Sequence, residues 1–503
     1  MAFTTRLSAR KLALRLAFVA GLVALLAGPV CGALTPPLSA AWVNSMGPEP
    51  RNVGEVLVRG ELVYVSHSGI LRCLDARTGG EVWRLEFEEA GISTSPVAWG
   101  DLVIAGADDG NLYALDVTTG EEVWRRELGK RVAPDPVIVG DDLVLAAGSM
   151  AYSLQPATGQ ANWMCSLSSP ASAPAVSDGS MLYFLCQDGS LQSIDQARGA
   201  YRWRVLPQVG ADVSRPVYAD RRVIIAGGRR VAGISRSGRV MWTADMPVNV
   251  TGAPSVVGGT IYVPCSDGEV YRLYVRSGRQ ERGATLKAAG AVTARPLIDG
   301  GIVIAGTSSG LVCALAEQSG ALLWQYRCRA PDEPIGQGIS VGLYAPPVSA
   351  QGALYCLTGT GDLYCFTASA PDPSGPAFGE LDPEPGDALS SEVMLTVSFT
   401  VLDDGSGVVP DSVGARVDGT AFPVGFDPAS GVGFAYLGAL PEGSHVVDVF
   451  AADYRGNRAE DSWSFLTDKS IAPPAPPPPQ PGAPGGGMMG GGRMGGGGRR
   501  GMP

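Results

Sequence analysis

The sequence predicts an all-β protein: an eight-bladed β-propeller, then a β-sandwich and a disordered tail. Three observations predict it. The 503 residues include 69 glycines and 39 prolines. Charged residues make up only 17%, against about a quarter in an average soluble chain. A Gly-x-x-x-Trp pair returns about every forty residues, with short apolar runs and tight turns between its copies. A turn-dense, charge-poor chain with 45% apolar residues is neither a coiled coil, a helical enzyme nor a wholly disordered protein.

A fixed period governs the whole architecture. The pairs are Gly79/Trp83, Gly120/Trp124, Gly159/Trp163, Gly199/Trp203, Gly238/Trp242 and Gly320/Trp324. Gly278 is followed by Arg282 instead, which marks one degenerate copy. A proline opens each unit: Pro96, Pro136, Pro174, Pro216, Pro254, Pro296 and Pro347. In the second unit an apolar run, Leu102-Val-Ile-Ala105, precedes the turn Asp108-Asp109-Gly110 and a further run from Asn111 to Asp116. Thr118-Thr119-Gly120 then turns the chain into Glu121-Glu-Val-Trp124. Asp-Gly favours turns whose twist matches a hairpin, so each unit is four short antiparallel strands. Such a sheet cannot bury both faces alone, but radial stacking covers each sheet with the next. A tryptophan at one fixed place on the outer strand buries about 200 Å² and docks each blade on its neighbour. An eighth unit starts at Pro347 and stops after Asp362-Leu-Tyr-Cys-Phe366 without a fourth strand. Trp42 lies one period before Trp83, so the N-terminal segment is expected to supply that strand and lock the ring. The docking set is Trp42, Trp83, Trp124, Trp163, Trp203, Trp242 and Trp324.

Asp75-Ala-Arg-Thr-Gly79-Gly-Glu-Val-Trp83 and Asp116-Val-Thr-Thr-Gly120-Glu-Glu-Val-Trp124 resemble the repeat of the pyrroloquinoline-quinone (PQQ)-like, or quinoprotein-like, β-propeller family. The resemblance covers residues 40–370. The family holds quinone-dependent dehydrogenases and a non-catalytic branch that includes the propeller lipoprotein of the outer-membrane β-barrel assembly machinery. Its catalytic members use calcium, a carboxylate base and a disulfide between adjacent cysteines. This chain has no adjacent cysteines and near-minimal repeats, so no catalytic or cofactor residue carries over and the non-catalytic branch is the expected one. The expected function is a non-enzymatic scaffold or binding protein of the cell envelope, a monomer holding a protein or polysaccharide partner. The alternatives are a PQQ- and calcium-dependent oxidoreductase and a carbohydrate-binding surface adhesin.

Residues 371–387 are rich in Pro, Asp and Glu and read as a linker. Residues 388–468 alternate like sandwich strands, at a length that suits one immunoglobulin-like domain. Asp403-Asp404-Gly-Ser-Gly407 and Asp453-Tyr-Arg-Gly-Asn457 resemble bacterial immunoglobulin-like surface modules. Asp403, Asp404, Asp453 and Asn457 are candidate calcium ligands, since hard oxygens suit that ion; turn chemistry places the same residue types there. Residues 471–503 pass from a proline run to a Gly/Met/Arg tract, which is expected to be disordered. Residues 380–469 carry sixteen acidic and four basic side chains, so the acidity of the chain, net −11, gathers in this module. No basic stripe interleaved with aromatics points to nucleic acid.

Residues 1–33 read as an export signal: basic groups up to Arg15, an apolar run over 16–28, and small residues at Cys31-Gly32-Ala33. The run is short for a membrane span, and no second one follows. The expected location is the periplasm or cell surface, with Cys31 a candidate lipid anchor. The other eight cysteines stand singly. Cys356 and Cys365 flank one tight turn and are candidates to face each other across a hairpin.

Three further features bear on chemistry. Gly306-Thr-Ser308-Ser-Gly310 has the spacing of a hydrolase nucleophile turn, but it falls on a hairpin with no helix after it and no histidine in its unit. The insertion between Trp324 and Pro347 adds Asp332 and Glu333 outside the blade framework, and such loops carry binding functions. The residue before each opening proline should stand where the innermost strand meets one channel mouth. Asp135, Arg215 and Arg295 are charged there, and they join Asp332 and Glu333 as candidate partner-binding residues.

Overall fold

The computed structural model describes residues 33–47, 54–86, 91–210, 213–283, 285–329 and 341–473. Residues 1–32 of the expected export signal, Cys31 among them, Asp332, Glu333 and the tail from 474 lie outside the described residues. Within them the chain is all-β, apart from one 3-10 turn at Pro410–Ser412. No described helix is long and apolar enough to cross a membrane.

Local chemistry sets the strand lengths. In the second repeat, Asp109 closes the hairpin at Gly110: its carboxylate accepts from the Asn111 amide at 2.8 Å and the Tyr113 hydroxyl at 2.6 Å. Gly110 adopts φ +84°, a conformation only glycine takes freely. At the next turn, Asp116 accepts the amides of Thr118 and Thr119, both at 2.9 Å. Burial alone would raise this carboxyl, but the donors of Thr119 and Thr118 hold it below the ordinary range.

Seven consecutive four-stranded antiparallel sheets follow from these turns. The first comprises Leu57–Arg59, Leu62–His67, Ile70–Asp75 and Glu81–Leu85. The second comprises Val97–Trp99, Leu102–Gly106, Asn111–Asp116 and Glu122–Glu127. Five more lie within 137–166, 176–205, 217–245, 255–287 and 297–327. An eighth joins Val348–Ala350, Ala353–Leu357 and Asp362–Thr367 to the N-terminal strand Ser39–Ser45. That strand runs antiparallel to Asp362–Thr367 with Trp42 opposite Cys365, and the Trp42 and Tyr355 rings stand 6.0 Å apart.

Apolar clusters join each sheet to the next. One joins Tyr64 and Cys73 to Val103 and Leu115; another joins Ile304 and Val312 to Leu354 and Phe366. The cluster of Val63 and Leu74 with Tyr355 and Leu363 returns the eighth sheet to the first. The ring is therefore closed, in the manner of a β-propeller. Middle strands are buried on both faces (Val63, Tyr64 and Val65 are all inaccessible) because a sheet covers each side. Outer strands alternate between covered and exposed positions.

Six tryptophans dock as their period requires. Each indole N–H donates to a carbonyl in the following sheet's glycine turn: Trp42 to Ala76 at 3.0 Å, Trp83 to Val117 at 3.2 Å, Trp124 to Pro156 at 3.1 Å, Trp163 to Gln196 at 2.7 Å, Trp203 to Arg236 at 2.8 Å and Trp242 to Val275 at 2.9 Å. The turn glycine lies under the ring: a Cβ at Gly120 would sit 2.6 Å from Trp83 Cδ2. These six indoles remain part-exposed on the rim, so they bury less than the sequence reading assumed. In the degenerate sixth sheet the outer strand shrinks to Leu286–Lys287 and Arg282 is exposed. Arg272 of the preceding strand takes over there, donating to the Glu317 carbonyl at 2.8 Å.

Residues 377–468 form two further sheets. One orders Ala377–Asp382, Leu395–Leu402, Val432–Gly438 and Val424–Asp427; the other orders Ala388–Ser390, Arg458–Asp468, Gly443–Ala452, Gly414–Val417 and Thr420–Phe422. Val397, Phe399, Val449, Trp463 and Phe465 form their shared core. The stretch expected as linker is partly structural. Ala377–Asp382 is a strand of this module, because Phe378 packs 6.0 Å from Phe399 despite its proline-rich flanks.

The expected facing of Cys356 and Cys365 does not occur. Cys356 stands opposite Tyr364, and Cys365 opposite Tyr355. This offset sends the two thiols into different inter-sheet clusters, and every described cysteine is free.

Candidate functional site

The candidate site lies at the ring mouth where the innermost strands begin. Asp135, Arg215 and Arg295 belong to the third, fifth and seventh sheets, and the structure brings them together through a residue the sequence reading missed. Glu55 opens the first sheet. Its carboxylate accepts from Arg215 Nη1 at 2.7 Å and from Arg295 Nη2 at 3.3 Å. It escaped notice because its strand opens with Val56 in place of proline. Its position, one forty-residue step before Ser95 and two before Asp135, is the signal that would have found it.

Asp135 is held from the other side. Its two carboxylate oxygens accept from the Ser95 amide at 2.7 Å and the Ser95 hydroxyl at 2.8 Å. Ser95 Oγ in turn accepts from the Glu55 amide at 2.7 Å. Burial raises the Asp135 carboxyl above the ordinary range; the Ser95 donors and Arg215 pull it back and Glu55 adds to the rise. The network gathers two carboxylates and two guanidinium groups; both guanidinium groups pair with Glu55, while Asp135 is held by Ser95. Charges a quarter to a third exposed are thus paired across the channel, and the arrangement braces opposite sides of the ring.

Hydroxyls one step outward reinforce this brace. Ser93 Oγ donates to Val132 O at 2.9 Å and Thr293 Oγ1 to Leu343 O at 2.5 Å, each on the neighbouring sheet's entry segment. A cavity of about 310 Å³ opens beside the network, lined by Glu55, Ser93, Ser95, Asp135, Tyr344 and Pro346. Tyr344 stands 60% exposed at its lip. Its walls offer carboxylate, hydroxyl and aromatic surface, which suits a polar or cationic side chain of a partner.

The candidate calcium residues divide. Asp403 and Asp453 converge, and Asp372 from the expected linker joins them, with one carboxylate oxygen from each within 4.8 Å of the others. Asp404 does not join; it pairs with Arg329 at 2.6 Å. Asn457 spends its amide on Asp453 Oδ2 at 2.7 Å and Asp372 O at 2.9 Å. Asp453 also accepts the amides of Arg455 and Asn457, which is turn chemistry. Burial, with Asp372 and Asp453 adding to it, pushes the Asp403 carboxyl up to about 6 against the Gly407 amide that it accepts. The Ser308 motif lies on the hairpin between Ile302–Gly306 and Leu311–Ala316, with no helix after it, and offers no nucleophile elbow.

Comparison with known proteins agrees with the ring. A family model described as outer membrane protein assembly factor BamB matches residues 38–182 and 187–373. The BamB protein of Burkholderia pseudomallei is 26% identical over 196 residues, covering 36% of this chain and 51% of that protein. The Yersinia pestis protein is 24% identical over 294 residues, covering 53% and 64%. The chain therefore spans between half and two thirds of these relatives. The crystal structure of BamB from Moraxella catarrhalis superposes with a TM-score of 0.51 at 17% identity, over 66% of this chain and 99% of that one. Quinohemoprotein alcohol dehydrogenase from Comamonas testosteroni gives 0.53 at 15% identity, over 69% and 79%. At these identities the structural likenesses speak for fold alone. The family match covers most of the chain, and the chain belongs to the outer membrane protein assembly factor BamB family.

Proposed function

We propose that this chain is an exported, non-enzymatic scaffold of the cell envelope: an eight-bladed propeller carrying an immunoglobulin-like module, which holds a protein partner of the outer-membrane assembly machinery. The observation that carries the reading is the mouth network. Glu55 is shared by Arg215 and Arg295, so these three charged groups brace the ring, and a polar cavity lined by Asp135 and an exposed tyrosine is left for a partner's side chain. The expected signal over residues 1–33 accounts for export. The family relatives are named for outer-membrane assembly, which supports that class of partner.

The test is crosslinking in intact envelopes through a photoreactive group at Tyr344 of the full chain. Recovery of outer-membrane β-barrel assembly proteins supports the reading. Their absence, together with dye reduction by the purified chain on adding PQQ, calcium and an alcohol, would replace it with the oxidoreductase. Specific glycan-array binding in place of protein capture would replace it with the adhesin.

A further inference from the structure

One docking tryptophan breaks the rule of the other six. Trp324 donates its indole N–H to Ser406 O at 2.7 Å, in the C-terminal module. The partner lies 82 residues onward, where the others reach 32 to 34. Trp324 is fully buried, whereas its six counterparts are part-exposed. The cause is topological. The outer strand of the eighth sheet comes from the N-terminus, so that sheet has no glycine turn after Asp362–Thr367 to receive the indole.

We infer that loop 403–407 of the module substitutes for the missing turn and acts as an intramolecular clasp over the seam where the ring opens and closes. The loop supplies the carbonyl that the missing turn would have offered, but its glycine packs on the outer strand instead of under the indole. Gly407 has φ +89° and lies so close to the seventh sheet that an added Cβ would meet Gln325 O at 2.5 Å. Tyr326 donates its hydroxyl to Asp404 O at 3.1 Å, and Arg329 grips the Asp404 carboxylate through Nε and Nη2 at 2.6 to 3.0 Å. The same loop holds the closing strand: Ala40 N–H donates to Gly405 O at 2.9 Å. Arg455 ties together both chain ends of the eighth sheet, donating to Ser39 Oγ at 2.9 Å and Ala368 O at 2.5 Å. A void of only about 20 Å³ remains between loop and ring. The surface formed by Trp324, Tyr326 and Arg329 is thus a socket for a tight glycine turn, and its occupant is this chain's own module.

The test is hydrogen exchange on the full chain, read at Leu322–Arg327 and Ser39–Ser45. Gly407→Val places a branched side chain against Gln325 at a positive φ and should lift the loop. Arg455→Ala removes the tie to both chain ends and perturbs no core. Each should accelerate exchange at both strands at least tenfold and leave Leu102–Gly106 unchanged. Gly419→Val is the control, because Gly419 also has a positive φ (+77°) but open space around it in the module; it should leave both strands unchanged. Unaltered exchange at both strands in Arg455→Ala and Gly407→Val, with loop 403–407 itself exchanging faster, would overturn the inference. So would equal acceleration by Gly419→Val.

Discussion

Glu55 and Arg215 pair at 2.7 Å across the ring although 160 residues separate them. The first sheet is thereby tied to the fifth, opposite in the ring, and Arg295 adds the seventh at 3.3 Å. Such a brace makes the mouth rigid without using the hydrophobic clusters between adjacent sheets.

Glu55→Gln leaves two guanidinium groups facing each other. Breaking a buried pair costs 3–5 kcal/mol and an exposed one under 1. This network is a quarter to a third exposed, so a loss of about 2 kcal/mol is expected, read as a fall of a few degrees in Tm. Glu55→Gln combined with Arg215→Gln should recover part of that loss, a coupling that a double-mutant cycle measures.

The docking turns give a graded steric prediction. Gly100 and Gly120 both have positive φ, but Gly100 has open space around it and Gly120 lies under Trp83. Gly100→Ala should cost about 1 kcal/mol for its backbone alone. Gly120→Ala should cost roughly 3 kcal/mol, because the methyl also displaces the indole. Denaturant melts of the two variants, with equal losses as the contrary result, check this.

His67 is inaccessible, with Nε2 unpartnered among the described residues and packed against Gly361 at the seam of the first and eighth sheets. Burial lowers its pKa, Arg72 lowers it further, and Asp362 opposes both. A base depressed in the folded state binds its proton more readily when unfolded, so its contribution is complete above about pH 6.5 and is lost as pH falls below it. His67→Gln should flatten the decline of Tm between pH 7 and 5 relative to the parent chain.

Asp403 works in the opposite sense. Its carboxyl is pushed up to about 6, above the unfolded value of about 3.9. Its contribution is present below the unfolded value and is lost as pH rises through 6. Asp403→Asn keeps an oxygen for the Gly405 and Gly407 amides and removes the charge facing Asp372 and Asp453. Its Tm should exceed that of the parent at pH 7.5 and converge with it near pH 4.

Much of the ring was legible because its physics is periodic. The turn glycines, the opening prolines and six of the docking tryptophans recur at one step, and Trp42 declares the closing strand by lying one step early. What stayed hidden broke the period or depended on register. Glu55 lacks the proline that marks its equivalents. Trp324 keeps its place in the repeat, but its partner is in another module. Asp372 sat in a stretch that composition disguised as linker, although Phe378 gives it a core to join. The offset of Cys356 from Cys365 is a matter of strand register, which turn residues alone do not fix.

The first strand closes the ring beside the last. Hydrogen exchange of the unmodified chain reads this closure. Ser39–Ser45 should be protected to the same degree as its partner Asp362–Thr367. Exchange of residues 39–45 at the rate of an unstructured peptide, while Asp362–Thr367 stays protected, would contradict it.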